Sequence, residues 1–470
     1  MLALELIDAG LLLAQQRGEA AEILASVPGV AMLEDAQTLT GDAAAQRIRL
    51  KPLLAHTNYW RALSTETLVR PSPLARTTAD IAYAQVNELL ASHKDDPEGV
   101  LLAIPAGYTR EQLGLLLGVI NETGATVAGV IDAGLAACSL EPAPARVLHL
   151  DLELHQAILT VLDYAGARSS NERGGLKRSR YEIAPGHGLL AFQQSWMQVI
   201  AEHFVRNTRF DPVHDAANEQ ALLNQLPEWR EQLQQNETVN LILKFGDRPL
   251  EVEMNRAHFI AAAERHYAEL VRLVQDARVA GLPIELSVSH RVAWLPGLVD
   301  RFRSLRDCTL RVLPQGAAAF GALQYRDVIR RPADSLALVY QLPVIRAETD
   351  TSGGLIHDST PPQLRPTHVL FQGRAWRISD RPLAIGWSPA NDRSLVLPSA
   401  APGVSRAHCT VVRRNGSVVV EDRSTYGSFV NEERVVGHTV LTVGDRLRLG
   451  SPGVTLEMIQ MVQDDGAPQD

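Results

Sequence analysis

The chain has 470 residues, of which 46% are apolar and 21% are charged, and its formal net charge is −9. This length is too great for one hydrophobic core and the composition is ordinary for a folded soluble protein, so we expect about two to four domains. The acidic balance argues against general binding to nucleic acid or to an anionic membrane, since both attract a basic surface.

Cysteine usage and hydropathy indicate where the protein works. The three cysteines are far apart and show no metal-ligand spacing: Cys138, Cys308 and Cys409. An odd number of separated cysteines favours a reducing compartment over a disulfide framework. The apolar residues 1–18 lack a basic leader and a cleavage site, and no run reaches the ~20 apolar residues that span a bilayer. We therefore expect a cytoplasmic protein without membrane insertion and without a bound metal.

Before residue 346, short apolar segments alternate with long amphipathic ones. The pattern predicts strands at residues 99–105, 147–151, 239–245 and 284–288. It predicts helices at residues 110–122, 189–205 and 256–279. Strands that alternate with helices indicate an α/β fold, and the length of the region favours two lobes. We assign residues 1–345 to this α/β domain.

Further segments follow one another along the same region, at residues 4–10, 103–112, 124–137, 147–151, 222–259 and 313–322. Their order resembles the actin/Hsp70 ATPase family, whose two similar lobes close around ATP. The resemblance covers about residues 1–330 and concerns the order of the segments more than their motifs. It implies a two-lobed actin/Hsp70-like fold.

The resemblance also implies positions for the nucleotide. Asp8 and Asp151 stand at strand ends where the family holds a Mg²⁺-bound water. Gly10 follows in the first phosphate hairpin, and Gly316 and Gly321 belong to the segment that flanks the adenosine in the family. These five residues are the predicted nucleotide-binding set.

Bulky and acidic residues stand where the resemblance calls for glycine or hydroxyl groups. The second hairpin continues with Leu-Glu-Leu-His-Gln at 152–156, and Leu11–Leu13 occupies the corresponding part of the first. His290 and Arg291 replace a glycine pair. Phosphates bind where glycine lets backbone N–H groups approach, and Glu153 would repel them. We therefore expect a pseudo-ATPase without catalytic residues and without a cofactor. The alternative is an Hsp70-like chaperone that binds ATP and Mg²⁺, with or without hydrolysis.

After residue 345 the chain changes character twice. Residues 346–365 are rich in Gly, Ser, Thr and Pro, which predicts a flexible linker. Residues 366–463 contain short β-branched segments separated by turn residues, which predict an all-β domain. The acidic residues 464–470 predict a disordered tail.

Three motifs fall within this all-β region: Gly386, then Gly403–His408, then Tyr426–Asn431. Their spacing resembles the forkhead-associated (FHA) domain, a β-sandwich that binds phosphothreonine peptides. The resemblance implies that Ser405 contacts the phosphate beside Arg406 and that Asn431 closes the later loop. It implies a structural role in the loops for His408, Gly386 and Gly427.

Two positions depart from the FHA pattern. Trp387 stands in place of the phosphate-binding arginine, and Tyr426 stands in place of the asparagine that fixes the peptide backbone. Residues 366–463 contain 11 Arg, no Lys and 8 acids, so Arg393, Arg406 or Arg423 could supply the cation. Binding that depends on phosphothreonine and binding that does not both remain open.

In the linker, Thr349 and Thr351 resemble the acidic phosphorylation sites of some FHA proteins. They are either an internal ligand of the FHA-like domain or part of a solvated linker. Together these features predict a regulatory scaffold that recruits protein partners, with threonine phosphorylation of the partner as one version and no role for nucleic acid.

Overall fold

A computed structural model describes residues 1–18, 20–94, 96–144, 146–165, 174–245, 248–278, 283–332, 336–345, 366–372, 374–389, 393–397, 403–414, 417–431, 433–435, 437–450 and 453–460. The chain divides into two units, Met1–Asp350 and Thr351–Asp470. The predicted linker with Thr349 and Thr351, and the predicted tail at 464–470, lie outside the described residues.

The first unit is an α/β body. Its strands are β1 (Leu2–Glu5), β2 (Leu11–Arg17), β3 (Ala20–Val27), β4 (Ala31–Leu33), β5 (Thr38–Thr40), β6 (Ala55–His56), β7 (Val100–Ile104), β8 (Val127–Asp132), β9 (Arg146–Leu152), β10 (Gln156–Ala165), β11 (Gly175–Pro185), β12 (Thr238–Phe245), β13 (Arg248–Asn255), β14 (Ile284–Val288), β15 (Cys308–Val312), β16 (Leu338–Val339) and β17 (Gln341–Leu342). Its helices are α1 (Gly41–Ala45), α2 (Thr78–Leu89), α3 (Arg110–Glu122), α4 (Ala133–Cys138), α5 (Leu189–Thr208), α6 (Ala216–Gln235), α7 (Arg256–Ala262), α8 (Glu264–Ala277), α9 (His290–Ala293), α10 (Leu298–Arg303), α11 (Ala317–Gln324) and α12 (Arg326–Ile329).

Two six-stranded sheets of this unit share one order for five of their strands. Their strand orders are β16-β8-β7-β1-β2-β3 and β15-β14-β9-β10-β11-β17. In each, three consecutive strands form an antiparallel meander. The first strand of the meander, β1 or β9, is followed on its other side by two strands that run parallel to it. Parallel neighbours need crossover connections, which α2 and α3 supply in the first sheet and α5 to α10 supply in the second. The first strand in chain order, β1 or β9, is therefore central in its sheet, while the sixth strand lies at different edges, β16 beside β8 and β17 beside β11.

The helices that follow the outer parallel strands pack against each other. An ideal Cβ on Gly321 of α11 would lie 1.9 Å from the carbonyl oxygen of Ala136 in α4, so only glycine allows this close approach. The hydrophobic cluster around this contact draws on both sheets, through Ala3 of β1 and Val147 of β9. The shared core thereby fixes the ends of β1 and β9 relative to each other.

The second unit is a β-sandwich. Its strands are β18 (His368–Phe371), β19 (Arg374–Arg377), β20 (Leu383–Gly386), β21 (Ser394–Val396), β22 (Cys409–Arg414), β23 (Ser417–Asp422), β24 (Ser428–Val430), β25 (Glu433–Arg434), β26 (His438–Leu441), β27 (Arg446–Leu449) and β28 (Val454–Ile459). They form the sheets β19-β18-β28-β27-β24-β25 and β21-β20-β22-β23-β26. Buried residues of both sheets, such as Val369 and Val411, share one core. The predicted order, an α/β body followed by an all-β sandwich, is confirmed.

Across the described part of the chain, every helix is too short or too polar to cross a bilayer.

Candidate functional sites

Asp8 and Asp151 lie close together at the ends of the two central strands. Asp8 belongs to the turn between β1 and β2, and Asp151 is the penultimate residue of β9. The Asp8 Oδ1 atom accepts a hydrogen bond from the backbone N–H of Leu154, 2.7 Å away in the turn after β9. Both aspartates are buried. The two strand-end turns, one from each sheet, are therefore in direct contact.

Arg291, in the first turn of α9, supplies a buried cation to this contact. Its Nε atom lies 3.2 Å from Asp151 Oδ1, and its Nη2 atom lies 2.5 Å from Glu5 Oε1. The exposed fractions of Glu5, Asp151 and Arg291 are 3%, 8% and 9%. One guanidinium thus joins a carboxylate of the first sheet to a carboxylate of the second.

The pKa values in this cluster follow from the balance of burial and charge. Burial alone would raise the pKa of Asp151, but the attraction of Arg291 and His149 and the hydrogen bonds from Ser289 and Leu152 together outweigh it and leave that pKa below its ordinary value. For Glu5, burial outweighs Arg291 and raises the pKa. Arg291 itself keeps its charge, because Asp151 and Glu5 raise its pKa in spite of burial.

Glu153 is a further acidic residue of this region, and it lies beside Asp8. Its Oε2 atom accepts from Gln156 Nε2 at 2.7 Å, and the residue is only 5% exposed. Burial raises the pKa of Glu153, and repulsion from Asp8 adds to the increase. Burial also raises the pKa of Asp8. The turn at 152–156 therefore presents a carboxyl group where the resemblance calls for a phosphate.

The predicted glycines occupy three different settings. Gly10 closes the β1–β2 turn, where its N–H donates to the carbonyl of Ile7 at 2.9 Å. Gly316 has a φ of +77° at the start of α11, and a Cβ there would lie 3.3 Å from Leu12 Cδ2. Gly321 belongs to the α4–α11 contact. The structure therefore brings Asp8, Gly10 and Asp151 to the same strand ends, while apolar side chains lie against Gly316 and the Ala136 backbone lies against Gly321.

In the sandwich, His408 connects two loops at one end. Its Nδ1 accepts from the backbone N–H of Ser405 at 3.0 Å, and its Nε2 donates to the carbonyl of Gly427 at 3.1 Å. Burial lowers the pKa of His408, so the ring stays neutral in the tautomer that these bonds require. His408 thereby positions Ser405 without being exposed itself.

Gly386 allows the same loops to approach each other. A Cβ at Gly386 would lie 2.1 Å from the carbonyl oxygen of Arg406, and Gly427 has a φ of +85°. The loop is closed further by Thr425, whose N–H donates to Ser405 Oγ at 3.2 Å. Both glycines are required by the backbone geometry.

The accessible residues at this end form what we call the loop surface, defined by the exposed Trp387, Arg406, Thr425 and Tyr426 and the half-buried Ser405. Trp387 is 39% exposed and Tyr426 is 61% exposed. The backbone N–H of Trp387 donates to the carbonyl of Ser405 at 3.3 Å, which places the Trp387 backbone next to the serine loop. Two aromatic groups, hydroxyl groups and a guanidinium therefore share one accessible surface.

Two other predicted residues have different surroundings. Asn431, with a φ of +50°, donates to Asp445 Oδ1 at 2.8 Å and accepts from the N–H of Arg446 at 3.0 Å, so it closes its turn. Arg393 donates to the carbonyl of Arg381 at 2.8 Å. Because β21 runs parallel to β20, Arg393 lies at the opposite end of β20 from Gly386, about 10 Å away.

Sequence reasoning missed Glu5 and Arg434. Glu5 is an acidic residue inside a predicted apolar strand, which could have indicated a buried charge with a partner. Arg434 lies against Gly427, since a Cβ built there would be 3.0 Å from its Nε. This contact depends on the pairing of β24 with β25 and has no local sequence pattern.

Comparison with known families identifies the second unit. Residues 383–450 match the FHA domain family, which confirms an FHA domain in this part of the chain and supports a role in protein interaction. The match does not extend to the first unit, whose resemblance to the actin/Hsp70 family stays a prediction. No curated protein matches the chain.

Proposed function

We propose that the protein is a non-catalytic adaptor, in which a degenerate actin/Hsp70-like body and an FHA domain each hold a protein partner. The observation that carries this proposal is the buried ion-pair cluster of Arg291 with Glu5 and Asp151. It stands at the strand ends where an ATPase of that family would hold Mg²⁺.

The repeated topology supports the two-lobed assignment of the body. Each sheet has an antiparallel meander followed by a parallel pair, and these five strands have the same order in both sheets. Two similar lobes are what the actin/Hsp70 resemblance implies.

The residues at these strand ends do not fit a magnesium nucleotide. Asp151 is already paired with the guanidinium of Arg291, and a divalent cation would have to approach that fixed positive charge. The turn after β9 has leucine side chains at 152 and 154 instead of glycine, and Glu153 adds a carboxyl group where phosphate oxygens would lie. We therefore assign no step of ATP hydrolysis to this protein.

The loop surface supports phosphothreonine recognition by the FHA domain. Ser405 Oγ is held by the N–H of Thr425 and stands next to the exposed Arg406. Phosphate needs a cation and neutral donors on a rigid loop, and these groups provide both. Trp387 replaces the main phosphate-binding arginine, so one charge-assisted hydrogen bond to the phosphate is lost. We therefore expect the affinity for a phosphothreonine peptide to be lower by about one to two decades.

Peptide binding tests the proposal. A phosphothreonine peptide library should bind the full-length protein and lose affinity for Ser405→Ala, whereas Ser417→Ala should bind normally. Ser417 is a suitable control because it lies at the start of β23, at the other end of the sandwich. Equal binding of phosphorylated and unphosphorylated peptides would contradict phosphothreonine dependence, and ATP turnover by the purified chain would contradict the adaptor.

A further inference from the structure

A cavity of about 200 Å³ opens beside the two strand-end turns of the first unit. Its wall includes Asp8, Glu153, Gln156, Trp60 and Tyr108. The volume corresponds to roughly six or seven water molecules, which is sufficient for a short side chain. We call it the acidic cavity.

The polar groups of this wall are arranged to accept hydrogen bonds. Asp8 and Glu153 are carboxyl groups, and the Oε1 atom of Gln156 is buried without a donor among the residues that the structure describes. Gln156 is only 5% exposed. A buried acceptor without a partner costs free energy. We therefore expect a ligand of this cavity to carry a hydrogen-bond donor for it.

The donors of the two aromatic residues in the wall are already engaged. The hydroxyl of Tyr108 donates to the carbonyl of Trp60 at 3.1 Å, and Trp60 Nε1 donates to Gln85 Oε1 at 2.8 Å. What these two residues offer the cavity is aromatic surface, which attracts cations. A ligand with several N–H donors and a positive charge would satisfy both the acceptors and the aromatic surface.

We propose that the acidic cavity binds a primary alkylammonium group, either on a lysine side chain or on a small free amine. The ammonium has three N–H donors for the acceptors on Asp8, Glu153 and Gln156, and its alkyl chain can lie against Trp60 and Tyr108. A divalent metal is a poorer fit, because the described residues contain no cluster of three or more ligand side chains. This inference deepens the proposed function, since it assigns the cleft of the degenerate body to a cationic partner instead of a nucleotide.

The charge of Arg61 affects the affinity of the cavity for cations. It lines the cavity but is itself exposed, so its long side chain can turn into solvent when a ligand enters. Its charge opposes the incoming ammonium. Removing that charge should therefore strengthen amine binding, while removing a carboxylate should weaken it.

Ligand-observed NMR titration of the full-length protein tests the proposal with two probes. The probes are n-butylammonium, and N-acetyl-lysine methylamide as a lysine within a chain; 1-butanol is the uncharged control. Both amines should bind with saturation and 1-butanol should not. Glu153→Gln should weaken amine binding at least tenfold, Arg61→Gln should strengthen it severalfold, and the exposed control Glu122→Gln should leave it unchanged. Tighter binding of the lysine probe would identify a side chain as the ligand, and binding of n-butylammonium alone would identify a free amine.

Two outcomes separate failure of this inference from failure of the proposed function. If neither amine binds, or if Glu153→Gln binds as tightly as the wild type, the amine site is wrong while the adaptor proposal stands. If Mg²⁺ and ATP titrated into the same sample bind and displace the amine, the cleft is a nucleotide site and both are wrong. Glu153→Gln replaces a buried carboxyl group by a neutral amide of the same shape, so we expect it to fold.

Discussion

Arg291 Nη2 lies 2.5 Å from Glu5 Oε1, although the two residues are 286 positions apart in the sequence. The contact joins the helix after β14 to the first strand of the other sheet. Since the same guanidinium contacts Asp151, the two halves of the body share one buried cation. A charge that the fold needs internally is not available to neutralise a phosphate.

Removal of Arg291 should destabilise the body strongly. Arg291→Ala leaves Glu5 and Asp151 buried without their cation, and breaking a buried pair in this way costs ~3–5 kcal/mol. Urea unfolding of the full-length protein, followed by far-UV circular dichroism, measures the loss. The matched control is Arg303→Ala, whose pair with Asp300 is exposed to solvent and should contribute at most ~1 kcal/mol. Equal losses in the two variants would contradict the assigned role of Arg291.

Glu153 should make the stability of the body depend on pH. Because burial raises its pKa above 4.5, the folded state keeps a proton that the unfolded state has already lost. Its contribution is therefore complete below pH 4.5 and is lost as the pH rises through the raised value. Glu153→Gln should melt close to the wild type near pH 4.5 and at a higher temperature than the wild type at pH 8. The same difference at both pH values would contradict this prediction.

The glycine of the α4–α11 contact should not tolerate a methyl group. Gly321→Ala places Cβ 1.9 Å from the carbonyl oxygen of Ala136, so the two helices must separate. We expect a loss of at least ~2 kcal/mol in chemical unfolding. Gly118→Ala on the exposed face of α3 meets no atom within 4 Å and should stabilise by ~0.5–1 kcal/mol. Opposite signs for the two variants are the expected result, and a neutral Gly321→Ala would disprove the close contact.

His408 should support the loop surface through its two hydrogen bonds. His408→Ala leaves the N–H of Ser405 and the carbonyl of Gly427 without partners, which costs ~1–3 kcal/mol each if water does not replace the ring. Thermal unfolding of the FHA domain and peptide affinity should both decrease. His438→Ala, at an exposed strand position, is the control and should change neither. Normal peptide binding by His408→Ala would remove the structural role of this ring.

Local sequence determined several elements well. The helix predicted at 110–122 is α3, since Thr109 and Gln112 form a reciprocal cap at its start. The helix predicted at 256–279 is instead divided into α7 and α8 at Ala263, because apolar spacing continues across the break and a single residue leaves no signature in the pattern. The order of segments also predicted that Asp8 and Asp151 stand at strand ends.

The partners of the site residues could not be predicted in the same way. The pairing of Glu5 with Arg291 depends on how the two sheets face each other, which no local pattern encodes. Arg393 was a candidate cation on the basis of charge alone, and only the parallel register of β20 and β21 places it at the other end of the strand from Gly386. Contacts that depend on tertiary packing could not be predicted from the sequence.

Calorimetric titration of Mg²⁺ and ATP into the full-length wild-type protein tests the central claim most directly. Because Arg291 already forms ion pairs with Asp151 and Glu5, we predict no saturable heat of binding at millimolar nucleotide. Saturable binding that Asp151→Asn abolishes would contradict the claim and would identify the body as a nucleotide-binding domain.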